Sequence, residues 1–76
     1  MTRFQYINKN IEQIKQETKM GWTSTTILNY YGIYSRYDHY RKRGNYVSLS
    51  AFYTSNDFGV SESLVYKSIK EMEAEV

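Results

Sequence analysis

The sequence predicts a small, mostly α-helical domain of about four helices with one short extended segment, and residues 1–76 form this one domain. Three observations lead to this fold class. Apolar residues recur at alternating spacings of three and four, which places them on one side of a helix. Glycines stand where these patterns stop, as they do at helix ends. The 76 residues contain no proline, which is compatible with long helices, and are too few for a second domain.

The first predicted helix extends from Thr2 to the residues just before Gly21. Thr2 and Gln5 have the spacing of a capping box, in which each side chain binds the backbone N–H of the other residue. An apolar stripe with helical spacing follows, formed by Phe4, Ile7, Ile11, Ile14 and Thr18. We expect Phe4 to be exposed. This helix is therefore the predicted contact of a homodimer.

The second predicted helix extends from a cap at Thr23 or Ser24 to about Arg43, and Gly44 ends it. Its aromatic stripe is formed by Ile27, Tyr31 and Tyr34, with Tyr30 and Tyr37 beside them. Gly32 lies inside this helix and costs about 1 kcal/mol relative to alanine. It predicts either a close crossing of two helices or a break.

The segment after Gly44 is predicted to be extended over residues 46–48 and helical from residue 49 to about residue 56. Ser48 or Ser50 is placed to cap this third helix. The predicted core residues are Ile11, Ile14, Ile27, Leu49, Phe52, Val60, Val65 and Ile69.

A turn and a fourth helix follow, the helix beginning at Ser61 and continuing towards Glu75. Gly59 supplies the permissive backbone of a tight turn, Val60 an apolar anchor, and the Ser61 hydroxyl a cap for the new helix. The buried stripe of this helix is predicted at Val65, Ile69 and Met72. Its other face carries hydroxyl and ammonium groups, which suit the major groove of DNA. Residues 48–75 thus predict a helix-turn-helix motif.

Residues 50–73 resemble the winged helix-turn-helix proteins of bacteria and phages, whose consensus runs roughly Leu-Ala-x-x-Leu-Gly-Val-Ser-x-Ser-x-Val-Tyr-x-x-Ile-x-x-Leu-Glu. The matching positions are Gly59, Val60, Ser61, Ser63, Val65, Tyr66, Ile69, Met72 and Glu73. The helix before the turn is more polar than this pattern. No C-terminal wing is evident before Val76, so either the sequence is a fragment cut before its wing or the domain works without one.

The resemblance implies sequence-specific binding of double-stranded DNA. It leaves open a transcription regulator, an excisionase-like factor and the DNA-binding part of a replication initiator, in a bacterium, phage or plasmid. One helix-turn-helix of this size rarely binds specifically alone, so we expect either a homodimer on a two-fold site or cooperative binding along DNA.

The candidate DNA-binding residues form two groups. Those at the fourth helix are Ser61, Ser63, Tyr66, Lys67 and Lys70. Those of a basic run near the end of the second helix are Arg36, Arg41, Lys42 and Arg43, which we expect to hold the phosphate backbone. A solvated helix end, where cations complement the helix dipole, explains the basic run equally well. The net charge of +2 is too small to decide between them.

Other functions have less support in the sequence. There is no cysteine and only one histidine, His39, so we expect no metal site, and no motif predicts a cofactor or an enzyme. No apolar run approaches the roughly 20 residues of a membrane span, and no secretory signal is evident, so we expect a cytoplasmic protein. A protein-interaction module on the same scaffold remains the alternative, because nine tyrosines and several arginines also suit a protein interface.

Overall fold

The structure, a computed structural model, describes residues 1–21 and 25–75, and over that part of the chain it contains five helices and no sheet. The helices are α1 (Arg3–Lys9), α2 (Ile11–Lys19), α3 (Thr25–Lys42), α4 (Val47–Phe58) and α5 (Glu62–Glu73). The mostly helical class is confirmed, with five helices in place of four. The expected cap at Thr23 or Ser24, and a packing contact expected between Trp22 and Ile27 or Leu28, lie outside the described residues.

The predicted first helix is divided at Asn10. Thr2 and Gln5 form the expected capping box at its start. Asn10, however, has a φ of −115° and a ψ of 24°, and its side-chain amide donates a hydrogen bond to the Tyr6 carbonyl at 2.8 Å. A short polar side chain that binds the backbone locally competes with the helical hydrogen-bond ladder. The segment therefore forms two short helices, α1 and α2.

The predicted start of the third helix was wrong. Val47, expected in an extended segment, is the first residue of α4, and only Tyr46 before it has an extended backbone, as the N-cap residue. Neither predicted cap acts as one. Ser48 lies in the first turn of α4, and Ser50 is fully buried.

The end of α5 is held against the start of the chain. α5 ends at Glu73, short of the predicted 75, because Ala74 is extended and its carbonyl accepts a hydrogen bond from the Arg3 N–H at 2.7 Å. Thr2 and Glu75 form an isolated antiparallel bridge beside it. This contact fixes α1 against the C-terminal end of α5.

The core consists of two apolar clusters along α3 and α5. The first is centred on Ile7, Ile14 and Met72, with aromatic residues of α3 packed against it. The second is centred on Ile33, Ala51 and Val65, with Val60, Leu64 and Ile69 at its edge. α5 contributes to both clusters, so its inner face is buried along most of its length.

α4 packs with the opposite face from the one predicted. Leu49 and Phe52, expected in the core, are 36% and 45% exposed. The buried face consists of Ser50, Ala51, Thr54 and Ser55. These side chains are small, and the Thr54 hydroxyl donates to the Ser50 carbonyl of its own helix at 2.8 Å, so this hydroxyl is paired although it is buried. The Ser50 hydroxyl, also buried, has no hydrogen-bond partner among the described residues. Close helix packing is therefore favoured on this face.

Phe4 is partly buried against the core and not an exposed residue as predicted. Its ring stacks on Tyr31 with centroids 5.4 Å apart and meets Tyr34 edge-on at 4.7 Å. The apolar stripe of the first helical segment is thus used within the chain. The prediction of a homodimer contact on the first helix, which depended on an exposed Phe4, therefore has no support in the structure.

Two glycines of the chain have opposite roles. Gly59 ends α4 with a φ of +65°, a conformation that side chains rarely adopt. Gly32 lies within an unbroken α3, and no heavy atom lies within 4 Å of the position its Cβ would occupy. The predicted break or close crossing at Gly32 was therefore wrong.

The same substitution should change stability in opposite directions at these two sites. We expect Gly32→Ala to raise the free energy of unfolding by about 1 kcal/mol, because alanine is the better helix former and has room. We expect Gly59→Ala to lower it by about 1–2 kcal/mol, because of the left-handed backbone. Urea unfolding of the two variants beside wild type measures both effects. A loss of stability in Gly32→Ala would contradict the space seen beside that residue.

Candidate nucleic-acid interface

The turn between α4 and α5 has the predicted geometry. Gly59 is left-handed, its N–H donates to the Asn56 carbonyl at 3.3 Å, and the Val60 N–H donates to the Ser55 carbonyl at 3.0 Å. This pair of bonds forms the glycine-terminated helix end known as a Schellman motif. The Ser61 hydroxyl then accepts a hydrogen bond from the Leu64 N–H at 3.2 Å. Three residues therefore lead from one helix directly into the next.

The outer face of α5 is defined here as Ser63, Tyr66, Lys67 and Lys70, and all four residues are exposed. The opposite face is buried through Val65, Ser68 and Met72. Within the described part of the chain, the side chains of Ser63, Lys67 and Lys70 have no hydrogen-bond or ion-pair partner. Two ammonium groups and a hydroxyl are thus left free on one helix face.

The acidic residues at the end of α5 are partnered by neighbouring helices. Arg3 of α1 forms an ion pair with Glu71, at 2.6 Å between Nη1 and Oε2. The Tyr34 hydroxyl of α3 donates to Glu73 at 3.0 Å. These contacts lie on the two sides of α5 and leave its outer face between them. Glu62, in the first turn, is exposed and favours the positive end of the helix dipole.

α3 approaches the outer face of α5 at Tyr66. Burial of Tyr37 raises the pKa of its phenol, the carboxylate of Glu73 adds to this, and Tyr66 is near enough to contribute as well. The Arg41 guanidinium acts on the same phenol in the opposite direction. Arg41 also donates to the Asn45 carbonyl at 2.6 Å. Arg41 is therefore the member of the basic run that lies beside Tyr37.

The rest of the predicted basic run does not form one group. Arg36 points towards α4, where its Nε lies 3.8 Å from a carboxylate oxygen of Asp57. Lys42 pairs with Asp38 one turn earlier in α3, at 3.0 Å. Arg43 is exposed in the turn before α4 and has no partner among the described residues. The run is thus spread over different sides of α3.

Sequence reasoning missed two residues that define the edges of this surface. Arg3 is 68 positions from Glu71, and nothing in its local sequence indicates that pair. Tyr37 is buried, and its distance of four residues from buried Ile33 was a signal that both belong to the inner side of α3.

Comparison with protein-family models, with curated proteins and with solved structures gives no match to this chain. None of the described helices has the length and apolar character needed to cross a bilayer. Among the described residues, no three His, Asp or Glu side chains are grouped closely enough to bind a metal ion. The surface is therefore interpreted from its own geometry and charge.

Tyr34 should ionise later than the usual value of 10.0, because burial and the hydrogen bond to Glu73 both raise its pKa. A raised pKa in the folded state gives a stabilising contribution that is present below pH 10 and lost as the pH rises through the pKa of Tyr34. An absorbance titration of the phenols should therefore show a late-ionising group in wild type that Tyr34→Phe lacks. Tyr6→Phe, at an exposed position of α1, should retain it. If the phenol missing from the titration of Tyr34→Phe is instead one that ionises near the usual value of 10.0, the contact with Glu73 is contradicted.

Proposed function

We propose that this chain binds double-stranded DNA by placing the outer face of α5 in the major groove. The observation that carries the proposal is the charge balance of α5. Its lysines are exposed and unpaired, whereas Glu71 and Glu73 are partnered on its two sides. A phosphate backbone is the partner that such unpaired ammonium groups suit best.

The dimensions of α5 support the same proposal. A helix of 12 residues is about 18 Å long and, with side chains, about 10–12 Å wide, which matches the roughly 12 Å width of the major groove. The turn at Gly59 and the cap at Ser61 connect the N-terminal end of α5 to the end of α4. In helix-turn-helix proteins this end of the second helix meets the base edges.

The named side chains divide into two roles under this proposal. Ser63 and Tyr66 carry hydroxyl groups for base edges or phosphates, and Lys67 and Lys70 provide charge for phosphates. Arg41, beside Tyr37 of α3, adds a positive charge for the phosphates. Arg36 and Lys42 already have carboxylate partners and contribute less.

The same contact suits a transcription regulator, an excisionase-like factor or a replication-initiator domain of a bacterium, phage or plasmid. With it we propose a cytoplasmic location, where such DNA lies. The alternative of a protein-interaction module is favoured by one observation, the large apolar side chains exposed on α4.

The test is a fluorescence-anisotropy titration with random and AT-rich duplexes at two salt concentrations. We expect Lys67→Ala/Lys70→Ala to weaken binding at low salt at least about tenfold and to reduce the salt slope by roughly 2. Lys15→Ala/Lys19→Ala removes the same charge from exposed positions of α2 and should retain affinity within about twofold. Tyr66→Ala and Tyr66→Phe then separate a contact of the ring from one of the hydroxyl.

Two results would contradict the proposal. If folded wild-type protein binds neither duplex at low salt, the chain is not a DNA-binding domain, and the interaction module becomes the better hypothesis. If the two lysine pairs weaken binding equally, the interaction depends on net charge and not on α5.

A further inference from the structure

α4 exposes its large apolar residues and buries its small ones. Leu49, Phe52 and Tyr53 follow one another at helical spacings on the side opposite the buried serines and threonine. Tyr46, one turn earlier, is 79% exposed. Together with Asn56, one turn later, these residues are called here the outer face of α4. A helix that only had to cover the core would show the reverse pattern.

This surface is large for so small a protein. The three aromatic residues, exposed by 79%, 45% and 39%, present roughly 300 Å² if a fully exposed aromatic side chain presents about 200 Å². The ring of Tyr53 lies 6.0 Å from Phe52 and 5.3 Å from Tyr40 of α3, so the rings support one another. The largest apolar patch on a typical monomeric protein is of this size and is often functional, and clustered aromatic anchors are typical of interface centres.

Opposite charges lie at the two ends of the outer face. Arg43, exposed and unpaired among the described residues, stands in the turn just before α4. Glu62, exposed in the first turn of α5, follows the end of α4 in the chain, whereas Asp57 in the last turn of α4 is already paired with Arg36. The surface is thus positive at one end, apolar in the middle and negative at the other end.

We propose that the outer face of α4 is a two-fold interface between two copies of this chain, with the two α4 helices antiparallel. In that arrangement Arg43 of each copy lies near Glu62 of the other. The two-fold axis crosses the outer face of α4 at the height of residue 51 along the helix. Leu49 of one copy then lies opposite Tyr53 of the other. The antiparallel helix dipoles agree with this orientation, whereas a parallel pair would bring like charges together.

A second copy fits this surface better than a partner of uniform charge. An isologous contact requires a surface that is complementary to itself, and a positive end, an apolar centre and a negative end meet that requirement. A standard interface buries about 800 Å² on each partner, roughly a sixth of the 5186 Å² surface of this chain. The three aromatic residues supply roughly 300 Å² of such an interface, and the residues around them must supply the rest. This self-association does not depend on DNA binding.

Sedimentation equilibrium of the full chain without DNA tests the proposal. Wild type should form dimers with a dissociation constant in the micromolar range, and Phe52→Glu should weaken them at least about 30-fold. Tyr6→Glu, at an exposed aromatic residue of α1, is the matched control and should remain dimeric. Circular dichroism checks that both variants stay folded. A wild-type monomer at all concentrations, or a Phe52→Glu dimer of unchanged affinity, would overturn the proposal.

A charge exchange tests the antiparallel arrangement itself. Arg43→Glu and Glu62→Arg should each weaken the dimer at least about tenfold, because each places like charges together at both ends of the interface. The double variant Arg43→Glu/Glu62→Arg should return to within about threefold of wild type. If the two single effects instead add in the double variant, the two residues do not meet across an antiparallel dimer, and the proposal fails.

Discussion

The close packing of α4 against α3 and α5 through small side chains is the constraint on which the structure depends. Thr54 and Ser68 are fully buried where these helices meet, and buried hydroxyls destabilise a fold unless they are hydrogen-bonded. Each donates instead to a carbonyl four residues earlier in its own helix, at 2.8 and 2.9 Å. These two hydroxyls need no partner on a neighbouring helix, whereas the buried Ser50 hydroxyl has none among the described residues and is a cost of this packing. The same contact brings together Ile33, Ala51 and Val65.

This packing determines which surfaces remain free for other molecules. Because α4 turns its small residues inward, Leu49 and Phe52 have no place in the core and face solvent. α5 behaves in the ordinary way, with Val65 and Met72 inside and its lysines outside. Two helices joined by three residues thus present an apolar surface and a cationic surface. The first suits another protein surface, and the second suits a polyanion.

Features that depend on neighbouring residues could be predicted from the sequence. The capping box at Thr2, the left-handed turn at Gly59 and the cap at Ser61 each involve groups within a few positions of one another, and all three were confirmed. The exposure of Lys67 and Lys70 follows from the same helical spacing. Of the two groups of candidate DNA-binding residues, the one at α5 could therefore be predicted from the sequence.

The rest depends on tertiary contacts that hydrophobicity and spacing do not reveal. Hydrophobicity alone assigns Leu49 and Phe52 to the core, and only the close approach of α3 and α5 favours the small face of α4 instead. The sequence predicted one continuous basic group because it does not show that Asp57, from another helix, lies beside Arg36. In the structure these two residues are 3.8 Å apart, between Nε and Oδ2. No local pattern could show that Arg3 lies beside Glu71, since the bridge between the chain's two ends brings them together.

The proposed dimer surface on α4 and the proposed DNA-binding surface on α5 are connected by the turn at Gly59. Dimer formation would therefore affect DNA binding. Two backbone hydrogen bonds form the turn at Gly59 that sets α5 relative to α4, so a two-fold contact between α4 helices would also set the orientation of the two α5 helices. Paired recognition helices with a fixed separation read half-sites at a fixed spacing, and a monomer offers only half of that contact. DNA affinity would then rise with protein concentration through dimer formation. The apolar face of α4 would act on DNA recognition without touching DNA.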